Sequence, residues 1–214
     1  NFFDILNNVR KGFFEHGEFL SLSAALPQDL QGFVTFGDKV GWRPSEIATL
    51  TWAHVDRAQG IVRLEVGEAK NHEGRTVYLD DERKHVFNQQ GEIRKKSGTL
   101  LPCVFLNQHR THRVKRFDKA WKKACKDAKI GIKLFHDFRR TAVRNMVRAG
   151  IPERVAMMVS GHKTRSVLER YNIVDDKDLK QAARQQEIYL ENLTGTISGT
   201  IRDFGTKKGI NQNG

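Results

Sequence analysis

The hydrophobic positions along the chain change their spacing several times, and each spacing predicts a different kind of element. Between residues 30 and 40 the apolar residues recur at three- and four-residue steps, which is typical of one face of an α-helix: Leu30, Phe33, Phe36 and Val40. Gly41 is expected to end this helix, and Pro44 suits the first turn of the next one. Further helices are predicted over residues 114–128, 137–149, 152–159, 165–171 and 176–193.

Two short segments alternate between apolar and polar residues, which indicates β-strands. Residues 61–66 and 75–79 follow this two-residue period, and residues 71–74 between them (Asn-His-Glu-Gly) have the composition of a turn. The pattern predicts an antiparallel hairpin with Lys70 at its tip, and residues 104–106 are expected to add a short strand. The predicted fold is therefore α+β and mainly helical, with a small antiparallel sheet or hairpin at one edge.

The composition limits the class of protein. The chain has 214 residues, of which 38% are hydrophobic, so it can bury one sizeable core or two small ones. It has no apolar run long enough to predict a membrane span. Its two cysteines make no disulfide framework, so a reducing cytoplasm is the expected location.

The positive charge is concentrated in one part of the chain. The formal net charge is +12, yet residues 110–170 alone contain 18 Lys or Arg against 5 Asp or Glu, a difference of 13. These basic residues alternate with a regular apolar pattern. A solvated helical face would explain them, but a surface that binds nucleic acid explains them better.

Three segments are expected in the domain organisation. Residues 1–19, which are apolar and basic by turns, are predicted to be a linker from a missing N-terminal domain. The chain begins without Met, so it is expected to be a fragment of a longer protein. Residues 20–194 are predicted to form the folded domain. Residues 195–214, rich in Gly, Thr, Lys and Asn, are predicted to be a flexible tail.

Candidate chemistry lies near the C-terminal half of the predicted domain. His136 and Arg139 are three residues apart, so on a helix an imidazole and a guanidinium would share a face. His162 follows Gly161 at a predicted helix end, and Tyr171 comes nine residues later. One unbroken helix would separate these two by about 13 Å, so a break between them is required if both touch one ligand. Each feature alone is more often structural.

Two further basic residues belong to the same set. Arg43 lies at the helix junction between Gly41 and Pro44, and Lys70 lies at the predicted hairpin tip. Two Arg, one Lys, two His and one Tyr suit a phosphodiester under attack. Guanidiniums match its non-bridging oxygens, a phenol can attack phosphorus, and His or Lys can move protons. Such a site would need no metal or cofactor.

The complete set resembles the signature of the tyrosine recombinase (phage integrase) family. The local strings are also similar: Gly41-Trp42-Arg43-Pro44-Ser45-Glu46, Lys70-Asn71 before Arg75-Thr76-Val77, His136-Asp137-Phe138-Arg139-Arg140-Thr141, and Gly161-His162-Lys163-Thr164 before Tyr171. The resemblance covers about residues 20–190. Two departures are Phe138 and Ser160, which stand where the family commonly has Leu.

The resemblance implies the fold of the family's catalytic domain and a role for each residue. Tyr171 would attack the scissile phosphate and form a 3′-phosphotyrosine, and Arg43 and Arg139 would clamp the non-bridging oxygens. Lys70 would protonate the leaving 5′-oxygen. The roles of the remaining residues would be proton transfer from the tyrosine (His136), a hydrogen bond to the phosphate (His162) and support for Arg43 (Glu46).

The resemblance also implies partners and a location. The expected substrate is double-stranded DNA, on which four protomers act at two sites, in a bacterial or phage-encoded protein that associates with the nucleoid. The segment after Tyr171 would supply apolar contacts either to a neighbour or to its own domain: Leu179, Ala183, Leu190 and Leu193. Integration and excision of a mobile element is the favoured task.

Three alternatives stay open at this point. A DNA-binding protein of the same fold would lack the catalysis, and a type IB topoisomerase would relax DNA without choosing partner sites. A metal-dependent nuclease or zinc protein would need ligands such as Cys103, His109 and His112, whose spacing matches no strong zinc pattern and which lack a fourth member.

Overall fold

The computed structural model describes residues 12–65, 67, 74–98, 100–163 and 176–204, and within the last helix it describes the side chains of 176 and 179–193. The chain divides into two compact units, Asn1–Asn172 and Ile173–Gly214. The described helices of the first unit are α1 (His16–Ala25), α2 (Gln28–Val40), α3 (Pro44–Thr49), α4 (Asp81–Ser97), α5 (Asp118–Asp127), α6 (Phe135–Arg148) and α7 (Glu153–Ser160), with a short 3₁₀ helix at Trp52–His54.

The strands of the first unit form one small antiparallel sheet. Strands β1 (Val55–Asp56), β2 (Ile61–Leu64) and β3 (Arg75–Tyr78) lie in the order β1-β2-β3. Val62 pairs with Val55 on one side and with Val77 on the other. The predicted fold class, mainly helical with a small antiparallel sheet, is therefore confirmed. Lys70 and the predicted helix over residues 165–171 lie outside the described residues.

Helix α2 lies at the centre of the hydrophobic core. It contacts α1, α3, α4 and α6, because its apolar residues repeat at three- and four-residue steps and face more than one neighbour. Phe33 has its ring centroid 5.3 Å from that of Phe135, and Phe36 lies 5.5 Å from Trp42. The first contact packs α2 against α6, and the second packs it against the α2–α3 junction, where the candidate site begins.

Glycines end the two helices that flank the site. Gly41 follows α2 with φ of 68° and Gly161 follows α7 with φ of 71°, both in the left-handed region that glycine adopts without strain. A Cβ at Gly41 would lie 3.2 Å from Cα of Arg139, so the α2–α3 junction packs closely on α6. Both predicted helix ends are confirmed.

Residues 14–19 differ from the linker predicted for them. Helix α1 starts at His16, and Phe14 and Phe19 are buried in the core. The backbone N–H of Phe14 donates to Oγ1 of Thr141 at 2.9 Å, and its ring lies 4.3 Å from that of Phe138. The prediction was wrong for this part because the apolar residues contact helices more than 100 residues away, which local spacing does not indicate.

Three smaller boundaries also differ from the predictions. Residues 104–106 form no named strand and lie beside two isolated bridges, at Cys103 and at Leu106. Helix α5 begins at Asp118, because the backbone N–H of Val114 donates to the carbonyl of Phe105, and Val114 and Phe117 pack against the core ahead of the first helical turn. Strand β1, which has only two residues, was too short to be predicted.

The second unit contains one long helix, α8 (Asp176–Phe204). It continues past residue 193, where the sequence analysis ended it, and into the predicted flexible tail. The apolar residues of the sequence keep a three- and four-residue spacing through residues 193–204, which outweighs the two glycines there. Among the described residues, no helix has both the length and the apolar content needed to cross a bilayer.

Candidate active site

The foundation of the candidate site is a buried carboxylate held between two guanidiniums. Glu46, on the first turn of α3, is only 3% exposed. Its Oε1 accepts hydrogen bonds from Nη1 of Arg43 at 2.9 Å and from Nη2 of Arg75, and its Oε2 accepts the backbone N–H of Arg43 at 2.9 Å. Glu46 therefore fixes both the side chain and the backbone of Arg43, in agreement with the support expected of it.

Arg75 joins this carboxylate to the end of α7. Its guanidinium is buried, lies over the ring of Trp42 with Cζ 5.3 Å from the ring centroid, and donates from Nη1 to the carbonyl of Ser160 at 3.3 Å. A Cβ at Gly161 would lie 2.5 Å from Cζ of Arg75, so only glycine fits against it. Strand β3 thus connects α3 to the helix end before His162.

Arg139 ties α6 to both glycine junctions. Its Nη1 donates to the carbonyl of Gly41 at 2.9 Å and to that of Ser160, and its Nη2 donates to the carbonyl of Gly161 at 2.7 Å. Its Nε donates to Nε2 of His162 at 3.1 Å. The side chain is buried, so its charge lies in a low-dielectric environment where it acts strongly on neighbouring groups.

His162 is half-buried among positive charges. Burial of its ring, followed by the guanidinium of Arg139, lowers the pKa of His162 from its ordinary value of 6.5 to about 3, and Arg43 also contributes. The imidazole is therefore neutral at pH 7 in the absence of a bound anion. A phosphate among these guanidiniums would reverse part of this effect, because a negative charge favours the protonated ring.

His136 completes the group of described candidates. It is exposed at the start of α6, yet desolvation of its ring and then the charge of Arg139 lower its pKa. The charge of Arg43 lowers the pKa of both His136 and His162, and His136 contributes to the lowered pKa of His162. A neutral imidazole can accept a proton, which suits the proton-transfer role that the resemblance implies.

The structure brings four of the six predicted site residues together: Arg43, His136, Arg139 and His162. They come from three places far apart in the sequence. Hydrogen bonds through Glu46, Arg75 and the carbonyl of Ser160 link Arg43, Arg139 and His162. His136 is connected to this group by the charges of Arg139 and Arg43, which lower its pKa. Lys70 and Tyr171, the other two, lie outside the described residues. Their roles therefore remain predictions.

The sequence analysis missed the structural importance of Arg75 and Ser160. Arg75 was assigned only to a strand and a family string, although its position on the same strand face as Val77 places it inward. A charged residue on a buried face requires an opposite charge, and that signal was available in the sequence. Ser160 was noted only as a departure, and its contact with His162 depends on the turn after α7, which the sequence pattern does not specify.

A basic surface lies on the loop before α5 and on α5 itself. Its lysines and arginines are exposed, whereas Trp121, Ala124 and Cys125 face the core: the surface comprises Arg110, Arg113, Lys115, Arg116, Lys119, Lys122, Lys123 and Lys126. This arrangement agrees with the predicted amphipathic helix with a basic outer face. By contrast, no three His, Cys, Asp or Glu side chains among the described residues converge as metal ligands would.

We predict that Glu46→Gln destabilises the protein by about 3 kcal/mol at pH 7, because it removes the negative charge from two buried or half-buried guanidiniums. Burial alone would raise the pKa of Glu46, but hydrogen bonds from Arg75 and from the Arg43 backbone outweigh it and hold the pKa below 4.5. The contribution of the carboxylate is therefore complete above pH 4.5 and is lost as the pH falls through the lowered value.

Urea denaturation of the wild type and of Glu46→Gln, at pH 7 and at about pH 3.5, measures the contribution of the carboxylate to stability. The difference in free energy of unfolding between the wild type and Glu46→Gln is expected to be smaller at the lower pH, where Glu46 becomes protonated. Glu92→Gln, which breaks an exposed pair with Lys95 on α4, is the matched control and should change nothing measurable. If Glu46→Gln lost the same amount of stability at both pH values, the stabilisation could not come from the charge of the Glu46 carboxylate.

Comparison with protein families gives a match over most of the chain. Residues 15–178 match the phage integrase family. The mainly helical fold with its small antiparallel sheet agrees with this match, and the cluster of guanidiniums and imidazoles lies within the matched residues. The chain is a member of the phage integrase family, as its sequence motifs predicted.

Two curated proteins show detectable sequence similarity. The integrase of Salmonella phage P22 is 27% identical over 218 residues, which include 95% of this chain and 53% of that protein. The shufflon-specific DNA recombinase of Escherichia coli is 27% identical over 135 residues, 60% of this chain and 30% of that protein. The chain thus spans about half the length of the first relative and less of the second.

Solved structures share the fold at lower sequence identity. The XerA recombinase superposes with a TM-score of 0.69 and 20% identity, covering 85% of this chain and 67% of that one. The Tn1549 transposon integrase, in complex with a circular intermediate DNA, gives 0.69 and 16% over 87% and 69%. The catalytic domain of bacteriophage HP1 integrase gives 0.58 and 21% over 82% and 95%.

Proposed function

We propose that this protein is a site-specific DNA recombinase that cleaves and rejoins double-stranded DNA through a 3′-phosphotyrosine at Tyr171. The observation that supports it most is the convergence of Arg43, Arg139, His136 and His162 in one cluster, in a chain of the phage integrase family. Integration or excision of a mobile element is the task we assign to it, which places the protein with the nucleoid.

The positive charge of the cluster would stabilise the phosphate under attack. The side chain of Arg43 is 25% exposed and its guanidinium is held by Glu46, so it is oriented before DNA arrives. Arg139 would exchange its contact with His162 for a non-bridging oxygen. Preoriented donors stabilise developing charge without having to reorganise during the reaction.

The reaction conserves the phosphodiester energy. The phenol oxygen of Tyr171 bonds to phosphorus while the bond from phosphorus to the 5′-oxygen breaks, and the phenol proton passes to His136. Lys70 protonates the leaving 5′-oxygen, and His162 hydrogen-bonds to the phosphate. Attack by a 5′-hydroxyl on the phosphotyrosine reverses these steps on a second strand, so no nucleotide, metal or other cofactor is needed.

We also propose that the protein self-associates on DNA, as a tetramer bound to two sites. The exposed apolar residues of α8 are suited to a contact with a neighbouring copy: Leu179, Ile188, Leu190 and Leu193. Packing against the chain's own first unit is the alternative for the same residues.

Covalent complex formation tests the proposed function directly. Duplexes from the DNA that flanks the protein's own gene would carry a nick beside each candidate cleavage position, so that the short released strand diffuses away and traps the intermediate. In EDTA, the purified protein should form a complex with DNA that survives SDS. Tight DNA binding without such a complex would support the non-catalytic alternative. Plasmid relaxation without recombination between two sites would support a topoisomerase.

We predict a strong salt dependence for DNA binding by the basic surface. If about 6 phosphates are neutralised, the logarithm of the DNA association constant should fall with the logarithm of the salt concentration, with a slope of about −5. Replacing Lys119, Lys122 and Lys126 together by Gln should reduce the slope by about 2 to 3. The matched control replaces Lys84, Lys95 and Lys96 of α4, which are equally exposed, and should leave the slope unchanged. Equal slopes for both triple variants would exclude this surface from the DNA contact.

A further inference from the structure

The hydroxyl of Ser160 lies between a carbonyl and the imidazole of His162. Ser160 is the last residue of α7 and is fully buried. Its Oγ is 2.7 Å from the carbonyl oxygen of Ala156 and 2.8 Å from Nδ1 of His162. A carbonyl only accepts hydrogen bonds, so the short contact with Ala156 uses the single hydroxyl proton. The oxygen of Ser160 then acts as an acceptor toward Nδ1.

The other ring nitrogen of His162 has the opposite requirement. Nε2 lies 3.1 Å from Nε of Arg139, which always carries a proton. Nε2 must therefore accept, and the ring proton belongs on Nδ1. The reverse tautomer would place one N–H against another at Nε2. The lowered pKa of His162 agrees with a neutral ring.

We propose that Ser160 is a positioning residue, whose hydroxyl fixes His162 as the Nδ1–H tautomer and so keeps Nε2 available to the scissile phosphate. The consequence for catalysis rests on the proposed function. When a phosphate draws the Nε–H of Arg139 away, Nε2 takes up a proton from solvent and donates it in a hydrogen bond to a phosphate oxygen, while Nδ1–H stays bonded to Ser160.

Ser160 should also ease this proton uptake. A hydrogen bond from Nδ1–H to the serine oxygen is stronger when the ring is positively charged, so it favours the protonated form. Loss of the hydroxyl should therefore lower the pKa of His162. An alanine or leucine in place of Ser160 would offer no acceptor to Nδ1.

The proton position can be measured by NMR on the full chain with ¹⁵N-labelled histidine, with His162→Gln identifying the signal. The wild-type ring is expected to carry its proton on Nδ1. In Ser160→Ala the ratio of the Nδ1–H to the Nε2–H tautomer should fall about fivefold, the worth of one hydrogen bond. Ser21→Ala removes the same kind of bond to a carbonyl one turn earlier, without a histidine partner, and should leave the ratio unchanged.

The rate of covalent complex formation provides a second readout. In Ser160→Ala the rate at pH 7.5 should fall about tenfold, and its decline with rising pH should shift to lower pH. Ser160→Thr keeps a hydroxyl, so its rate at pH 7.5 should lie within about threefold of the wild-type rate. Its decline with rising pH should return toward the wild-type pH.

An Nε2–H ring in the wild type, or an unchanged tautomer ratio and pH profile in Ser160→Ala, would overturn the inference even if the protein cleaves DNA. The expected tautomer ratios in a protein that never forms a covalent complex would support the proton assignment and contradict the proposed function instead.

Discussion

Replacing Arg139 by alanine is expected to reduce covalent complex formation by at least about a thousandfold and to destabilise the first unit by about 4 kcal/mol. The guanidinium donates to the carbonyls of Gly41, Ser160 and Gly161, and these acceptors would lose their donor in a buried environment. The same change removes a positive charge from the position assigned to the phosphate. Both effects arise because one side chain binds the carbonyls at the ends of α2 and α7 and also supplies the charge assigned to the phosphate.

Arg139→Lys separates the two contributions. Lysine keeps the charge but, with three protons on a single nitrogen, does not span three carbonyls and an imidazole. We expect it to recover less than half of the lost stability and to leave the rate at least about a hundredfold below the wild type. Urea denaturation and the rate of complex formation measure the two effects, and Arg148→Ala, at the exposed end of α6, is the control. Wild-type stability in Arg139→Ala would contradict the assigned hydrogen bonds.

Tyr171→Phe is expected to have the largest effect on chemistry and a negligible effect on binding. Phenylalanine lacks only the attacking oxygen, so complex formation should fall by at least about 10⁴-fold while the Kd for DNA changes by less than about twofold. The chain has three tyrosines. Tyr78→Phe and Tyr189→Phe, both at exposed positions, should leave the rate unchanged and serve as matched controls. Residual complex formation in Tyr171→Phe would assign the nucleophile elsewhere.

Local sequence signals predicted the helix ends and the strand pair that surround the site. Gly41 and Gly161 end helices because each needs a positive φ, and Pro44 begins the next helix, as predicted. The alternation in residues 61–66 and 75–79 predicted the antiparallel pair, which the structure forms over residues 61–64 and 75–78. These features depend on neighbours within a few residues, which a single sequence specifies.

Contacts between distant segments were beyond these signals. Arg75 and Glu46 are 29 residues apart, and Phe14 and Thr141 are 127 apart, so no local period connects them. The contact between Ser160 and His162 spans two residues across the turn after α7, where distant residues, Arg75 and Arg139, also bind the carbonyl of Ser160. The family resemblance compensated for part of this limit, since it grouped Arg43, His136, Arg139 and His162 before any geometry was known.

The central claim is that a phosphorus–oxygen bond joins DNA to one particular tyrosine. Digestion of the trapped complex with nuclease and trypsin, followed by mass spectrometry, locates that bond. Cleavage after Arg170 and Lys177 releases residues 171–177, which contain Tyr171 and no other tyrosine. This peptide should carry a nucleotide linked through its 3′-phosphate. A nucleotide on a peptide that contains Tyr78 or Tyr189, or linkage through a 5′-phosphate, would contradict the proposed reaction.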